Sequence, residues 1–216
     1  MIRILSAVVL LGLLSCTEAL AWRGNYKDGP FVSYNFGGDI ERETLGLGWQ
    51  VARRFTEVLS LEGTFSYHED RNLELTRLRP ELPDSHVDLQ VLGFGLTGRV
   101  GFRPSTNTYL YAGGGMTFFN INTDAKPVRR AQAARGGPDF GRYEADIRHT
   151  WGTHYVLGLE VALTRRWETF IEFRQTYLDP KVRTNFAPDI DAPTQQTRDR
   201  IDYDYSMFRL GINYRF

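Results

Sequence analysis

A serine, a histidine and a glutamate on one segment have the side chains that a hydrolytic site needs. Ser66 and His68 are two residues apart, so in a β-strand they share a face, and Glu62 lies further along that face. In such a site the histidine takes the proton of the serine and the carboxylate orients the histidine. Polar residues also occur at this spacing by chance in any alternating strand. We therefore interpret Ser66 as a polar residue of the protein interior and predict that the protein is not an enzyme.

The other histidines and the single cysteine indicate neither catalysis nor metal binding. No serine lies two residues after His68, His86, His149 or His154. His149 and His154 fall on opposite faces of a regular strand, which argues against a shared metal ion. Cys16 is the only cysteine, so a disulfide framework and a cysteine-rich zinc site are excluded. We expect no metal and no cofactor.

Six charged residues fall on the polar faces of segments that alternate in hydropathy. They are Glu62, Arg99, Glu160, Glu172, Arg174 and Arg209. Because an unpaired buried charge is strongly destabilising, we expect these residues to pair inside the fold. One interpretation is a plug of salt bridges that fixes the strand register and closes the interior. The other is a gate whose rearrangement admits ions.

Alternating hydropathy predicts eight β-strands that position these charges. Each segment carries aromatic and aliphatic residues on one face and polar residues or glycine on the other. The predicted strands are 30–37, 44–52, 59–68, 86–101, 107–119, 148–163, 168–178 and 203–216. The alternation changes phase near Val91 and Leu92, which predicts a β-bulge at that point.

The connections between the predicted strands also differ in length. Segments 53–57, 102–106 and 164–167 are tight, 69–85, 120–146 and 179–202 are long, and 38–42 is a short exception. This layout is typical of an eight-stranded antiparallel transmembrane β-barrel with short periplasmic turns and long extracellular loops. A soluble barrel is the less favoured alternative, because its interior would be apolar. Eight strands enclose a narrow lumen, so we favour the plug over the gate.

The N-terminal residues have the pattern of a secretory signal peptide. A positive start and an apolar run up to Leu14 precede a small-x-small cleavage site that ends at Ala21. We therefore predict a signal peptide over 1–21 and an all-β barrel domain over 22–216. The residues before Cys16 resemble a lipoprotein box, so lipidation of Cys16 is an open alternative.

The last predicted strand alternates up to a final aromatic residue. Its apolar face consists of Phe208, Leu210, Ile212, Tyr214 and Phe216. This pattern is similar to the C-terminal strand that outer-membrane barrels present to the barrel-assembly machinery. The tyrosine- and glycine-rich run 109–115 and the charges Glu160, Glu172 and Arg174 are similar to later strands of the same group. The chain thus resembles the small outer-membrane β-barrels of the Gram-negative cell envelope typified by the OmpA transmembrane domain.

The resemblance implies a location in the cell outer membrane, in contact with its lipids and with lipopolysaccharide. It also implies assembly by the barrel-assembly machinery and a structural or surface-interacting role without catalysis. Two alternatives stay open. One is a narrow, porin-like channel for ions or small hydrophobic molecules, as in the OmpW group. The other is a lipid A-modifying hydrolase, although the His-x-Ser pair of the lipid A deacylases does not occur in this chain.

Basic residues in the long predicted loops are candidate contacts for lipopolysaccharide phosphates. They are Lys126, Arg129, Arg130, Arg135, Arg142, Lys181, Arg183, Arg198 and Arg200. Acidic residues are interspersed, so a solvated loop surface is the simpler interpretation, and bidentate pairing of arginine with phosphate is the sharper one. Across the chain 26 basic residues balance 26 acidic ones, which gives no indication of nucleic-acid binding. The oligomeric state stays open.

Overall fold

The computed structural model describes the greater part of the predicted barrel domain. The described residues are 26–38, 43–74, 86–124, 143–147, 149–186, 195–200 and 203–216. The predicted signal peptide, Cys16 and the loop cations from Lys126 to Arg142 lie outside the described residues. No described residue belongs to a helix with the length and apolarity that a membrane crossing requires.

Eight antiparallel strands form a closed barrel, and three shorter strands form a separate sheet. The strands are β1 (Tyr26–Phe36), β2 (Thr44–Arg54), β3 (Leu59–Glu74), β4 (His86–Ser105), β5 (Thr108–Asp124), β6 (Tyr143–Ile147), β7 (Thr150–Ala162), β8 (Trp167–Leu178), β9 (Lys181–Phe186), β10 (Gln195–Arg200) and β11 (Tyr205–Arg215). The order around the barrel is β1-β11-β8-β7-β5-β4-β3-β2, and β1 also pairs with β2. The predicted fold class is confirmed.

The two faces of the barrel differ in polarity as the alternation predicts. Large apolar side chains cover the outer face, and Leu45, Leu157 and Trp151 are more than 60% exposed. The inner face carries buried polar and charged residues, such as Gln50 and Glu62. A band of exposed apolar side chains around a closed barrel suits lipid, because hydrocarbon needs no polar contacts.

Short turns join neighbouring strands at one end of the barrel, which we call the short-turn end. These turns, at 55–58, 106–107 and 163–166, overlap the predicted connections, although β4 continues to Ser105 through most of the predicted connection 102–106. At the other end, the long-loop end, parts of the segments predicted as loops form the second sheet, in the order β10-β9-β6. Sequence reasoning missed this sheet because β10, for example, has polar residues on both faces and shows no alternation.

The predicted bulge at Val91 and Leu92 is wrong. The register is continuous there, with Leu92 opposite Tyr67. Leu89 and Val91 are both buried on the inner face, so the change in pattern reflects an apolar interior near the long-loop end. Register shifts occur at two other places, between Asp70 and Leu73 in β3 and between Phe102 and Ser105 in β4.

The orientation of the barrel can be tested by labelling single cysteines with a bulky maleimide. Lys181 lies at the long-loop end and Pro104 at the short-turn end, and both are exposed. Barrels with this layout keep their short turns in the periplasm. We therefore expect Lys181→Cys to be labelled on intact cells, and Pro104→Cys only after the outer membrane has been permeabilised. If only Pro104→Cys were labelled on intact cells, the barrel would have the opposite orientation, with its short turns outside the cell.

Candidate functional site inside the barrel

The six charged residues predicted from the sequence all lie on the inner face of the barrel. Glu62 comes from β3, Arg99 from β4, Glu160 from β7, Glu172 and Arg174 from β8, and Arg209 from β11. Each of them is at most 5% exposed. We call these six residues the central network. Since three strands separate β3 from β8 in either direction around the barrel, the network connects opposite walls.

Glu172 is the most highly connected carboxylate of the central network. Its Oε1 accepts hydrogen bonds from Arg209 Nη1 at 2.6 Å and from Arg174 Nη2 at 3.0 Å. Its Oε2 accepts from Tyr111 Oη at 2.9 Å and from Arg99 Nη2 at 3.2 Å. Four donors from four strands therefore converge on one carboxylate, which restricts its position strongly.

Glu62, on the opposite wall, is the second carboxylate that binds several arginines. It accepts a hydrogen bond from Arg174 Nη2 at 2.9 Å and one from Arg209 Nη1 at 3.3 Å. It also forms a salt bridge with Arg99. The same three guanidinium groups thus contact both Glu62 and Glu172, and they bridge the lumen between the two walls.

Aromatic rings and a glycine complete the surroundings of the guanidinium groups. The guanidinium carbon of Arg209 lies 3.8 Å from the ring centroid of Phe31, and that of Arg99 lies 4.3 Å from the ring centroid of Tyr111. Such cation–π contacts are most favourable away from water. Gly158 is opposite Tyr111 in the register, and a Cβ at Gly158 would overlap the Tyr111 ring.

A second layer of charges lies between the central network and the short-turn end. Glu168 accepts hydrogen bonds from Lys27 Nζ at 2.5 Å and from Arg215 Nε at 2.6 Å. Glu160 forms salt bridges with Lys27, with Arg54 at 3.5 Å and with Arg99 at 3.2 Å, so it joins the two layers. We call Lys27, Arg54, Glu168 and Arg215 the lower layer.

Sequence reasoning did not single out the lower layer, although a signal for it existed. Lys27 and Arg54 lie just outside the predicted strands 30–37 and 44–52. Extending the alternation by three positions before residue 30 and by two positions after residue 52 would have placed both on the polar face. Glu168 and Arg215 lie near the ends of predicted strands, where side chains are easily assigned to the turns.

Comparisons with known proteins identify the family of this chain. A family model described as "Outer membrane protein beta-barrel domain" matches residues 5–216. The chain belongs to this outer membrane β-barrel family. Its location in the outer membrane, surrounded by lipid and lipopolysaccharide, follows from the family.

Solved structures of other outer membrane proteins are similar in fold. The protein OprG from Pseudomonas aeruginosa has a TM-score of 0.68 at 17% identity, with 89% of this chain and 96% of that chain covered. Neisserial surface protein A has a TM-score of 0.55 at 11% identity, with 88% and 97% covered. Outer Membrane Protein W of E. coli has a TM-score of 0.52 at 16% identity, with 89% and 98% covered. Comparison with curated protein sequences gives no match.

The residues considered for hydrolysis are not assembled in this outer membrane barrel. Glu62 is engaged by arginines of the central network and not by His68. The Nε2 atom of His68 has no hydrogen-bond partner among the described residues, so it does not take a proton from Ser66 through a hydrogen bond. Within the same residues, no group of three His, Cys, Asp or Glu side chains could hold a metal ion.

His154 and His149 of the outer membrane barrel contact threonine hydroxyls and an aromatic ring, respectively. The ring nitrogens of His154 lie 2.8 Å from Thr97 Oγ1 and 3.1 Å from Thr117 Oγ1, inside the lumen. His149 is exposed and contacts the ring of Phe118 at 5.9 Å between centroids. The two histidines therefore do not share a site.

The lumen of this outer membrane barrel becomes apolar towards the long-loop end. Buried residues there include Leu89, Val91, Phe119, Ile121 and Met207. Tyr203 Oη donates a hydrogen bond of 2.7 Å to Asp70 Oδ2 across this region. The interior thus has a charged middle and an apolar part beyond it.

Proposed function

We propose that the protein is a non-enzymatic outer membrane β-barrel with a structural or surface-interacting role, and that the central network plugs its lumen. The observation that carries the proposal is the bridging of Glu62 and Glu172, on opposite walls, by the same three arginines. Eight strands enclose an interior that side chains can fill. These two glutamates and three arginines together leave little of the cross-section of the lumen open to water.

The energetics of the central network favour a closed plug over an easily opened gate. Every salt bridge there joins groups that are at most 5% exposed, so screening by water and salt is weak. Opening the lumen would separate several hydrogen-bonded charges at once. Each carboxylate would lose more than one guanidinium partner, and breaking a single buried pair is already strongly destabilising.

Conductance in planar lipid bilayers tests the plug. We expect the unmodified barrel to show no steady conductance. The double variant Glu172→Ala/Arg209→Ala removes one charge of each sign from neighbouring strands, so it should open a water-filled path and conduct. Arg165→Ala, at an exposed turn position, is the matched control and should behave as the unmodified protein. Steady conductance of the unmodified barrel would favour the gate instead.

A channel for small hydrophobic molecules is the second candidate function. The apolar inner surface formed by Leu89, Val91 and Ile121 favours it, because a hydrophobic solute could enter there from the long-loop end. Such a solute would meet the central network before it reached the short-turn end. Hydrolysis of lipid A gains no support from the geometry, since Ser66, His68 and Glu62 form no catalytic contacts.

Contact with lipopolysaccharide phosphates is the proposed surface interaction. Lys181 and Arg200 are exposed and directly opposite each other in the β9–β10 register. Like charges in this arrangement destabilise a sheet unless a counter-ion lies between them. Phosphate groups of the outer leaflet would supply that counter-ion, with Arg183 on the same strand as a further donor.

Assembly by the barrel-assembly machinery is likewise part of the proposal. Phe208, Leu210 and Ile212 of β11 are exposed on the outer face, and Phe216 follows the strand. The alternating outer face of β11 supports its role as the assembly signal. We also propose that the signal peptide is cleaved after Ala21. Lipidation of Cys16 is the alternative.

A further inference from the structure

A water-accessible cavity of about 370 Å³ lies at the short-turn end, below the lower layer. We call it the vestibule. Turn residues, including Glu57, form part of its wall, and Ser60 of β3 lies beside them. The described residues that line it include four cationic side chains: Lys27, Arg54, Arg103 and Arg215. Its volume is at the lower end of the range of small-molecule sites, about 300–1,000 Å³, so it suits a compact ligand.

The charges around the vestibule do not balance. Glu168 and Glu160, above it, engage Lys27, Arg54 and Arg215. Among the described residues that line the cavity, Glu57 is the single acidic one. Within the part of the chain that the structure describes, three carboxylates therefore face four cations, and one positive charge is in excess.

Arg103 carries this excess charge. It is exposed at the end of β4, and no ion pair joins it to another described residue. Across the cavity, the guanidinium carbon of Arg54 lies 4.4 Å from the ring centroid of Tyr109, which holds that group in place. Guanidinium groups present several N–H donors in a planar fork that fits the oxygens of a phosphate. A concave, low-dielectric wall also concentrates the positive potential.

We propose that the vestibule is a binding site for a compact phosphate-bearing anion that enters from the aqueous side of the short-turn end. Arg103 and Arg54 supply the guanidinium donors, and the Ser60 hydroxyl supplies a neutral one. The central network lies beyond the site, so the anion binds without crossing the barrel. The site does not depend on the lumen being closed, and its test is separate from the conductance test.

A titration with inorganic phosphate tests the site. The full chain, folded in detergent micelles, is followed by the backbone amide resonances of Phe55 and Ser60 while sodium phosphate replaces sodium chloride at constant ionic strength. We expect saturable shifts at both residues. Arg103→Ala should weaken phosphate binding roughly tenfold or more, because it removes charge-assisted hydrogen bonds.

Arg165→Ala is the matched control, since Arg165 is exposed in a turn at the same end but does not line the vestibule. It should leave the phosphate affinity unchanged. Because Arg103 is exposed, its removal should not impair folding, and an unchanged amide spectrum without phosphate would verify this. Non-saturating shifts, or an equal loss of affinity in the Arg103 and Arg165 variants, would overturn the proposal.

Discussion

Glu172→Gln should lower the free energy of unfolding by about 3–5 kcal/mol, the cost typical of breaking a buried ion pair. Three guanidinium groups and the Tyr111 hydroxyl converge on this carboxylate, which is fully buried. Glutamine preserves the shape but removes the negative charge. Two of the three arginines then keep only Glu62 as a carboxylate partner within the central network. Urea unfolding in lipid vesicles measures the change.

A second substitution, at Arg209, tests whether the instability of Glu172→Gln comes from the unbalanced charge that it leaves. Arg209→Gln alone should also be strongly destabilising, because Glu62 and Glu172 both lose a donor. The double variant Glu172→Gln/Arg209→Gln restores the balance, so its cost should be less than the sum of the two single costs. Arg165→Gln, at an exposed turn, should change stability by at most about 1 kcal/mol. Additive costs in the double variant would show that the pair is not coupled.

The inner position of each central charge could be predicted because the period of a strand is two residues. Once the outward residues Leu157 and Ile171 are recognised, Glu160 and Glu172 must point inwards. The choice of partners could not be predicted in the same way. Arg174 reaches Glu62, 112 positions away in the sequence, because strand tilt and stagger place the two at one level. Hydropathy alone does not specify this stagger.

The errors at the long-loop end have a common physical cause. The predicted bulge at Val91 assumed that the lumen is polar throughout, whereas Leu89 and Val91 line an apolar part of it. The strands β9 and β10 lie outside the barrel wall, where no contrast between lipid and lumen imposes alternation. Sequence periodicity is informative only where the two faces of a strand meet different environments.

Leu157→Arg should destabilise the folded barrel by about 2–4 kcal/mol in lipid, the cost of a charge on the lipid-facing surface at the bilayer midplane. Leu157 is 64% exposed on the outer face. It precedes Gly158, which is opposite Glu172 in the register, so it lies level with the central network. A guanidinium group at this depth is far from both interfaces.

Leu163→Arg provides a control at a different depth. Leu163 is 59% exposed and lies in the turn between β7 and β8, where its amide donates to Trp167 O at 2.9 Å. Arginine near the interface should cost about 0–1 kcal/mol. Urea unfolding of both variants in vesicles gives the comparison. In a barrel surrounded by water, arginine would be tolerated at both exposed positions. Each substitution would then change the free energy of unfolding by no more than about 0.5 kcal/mol. Equal stability of the two variants would therefore contradict the membrane-spanning position of β7.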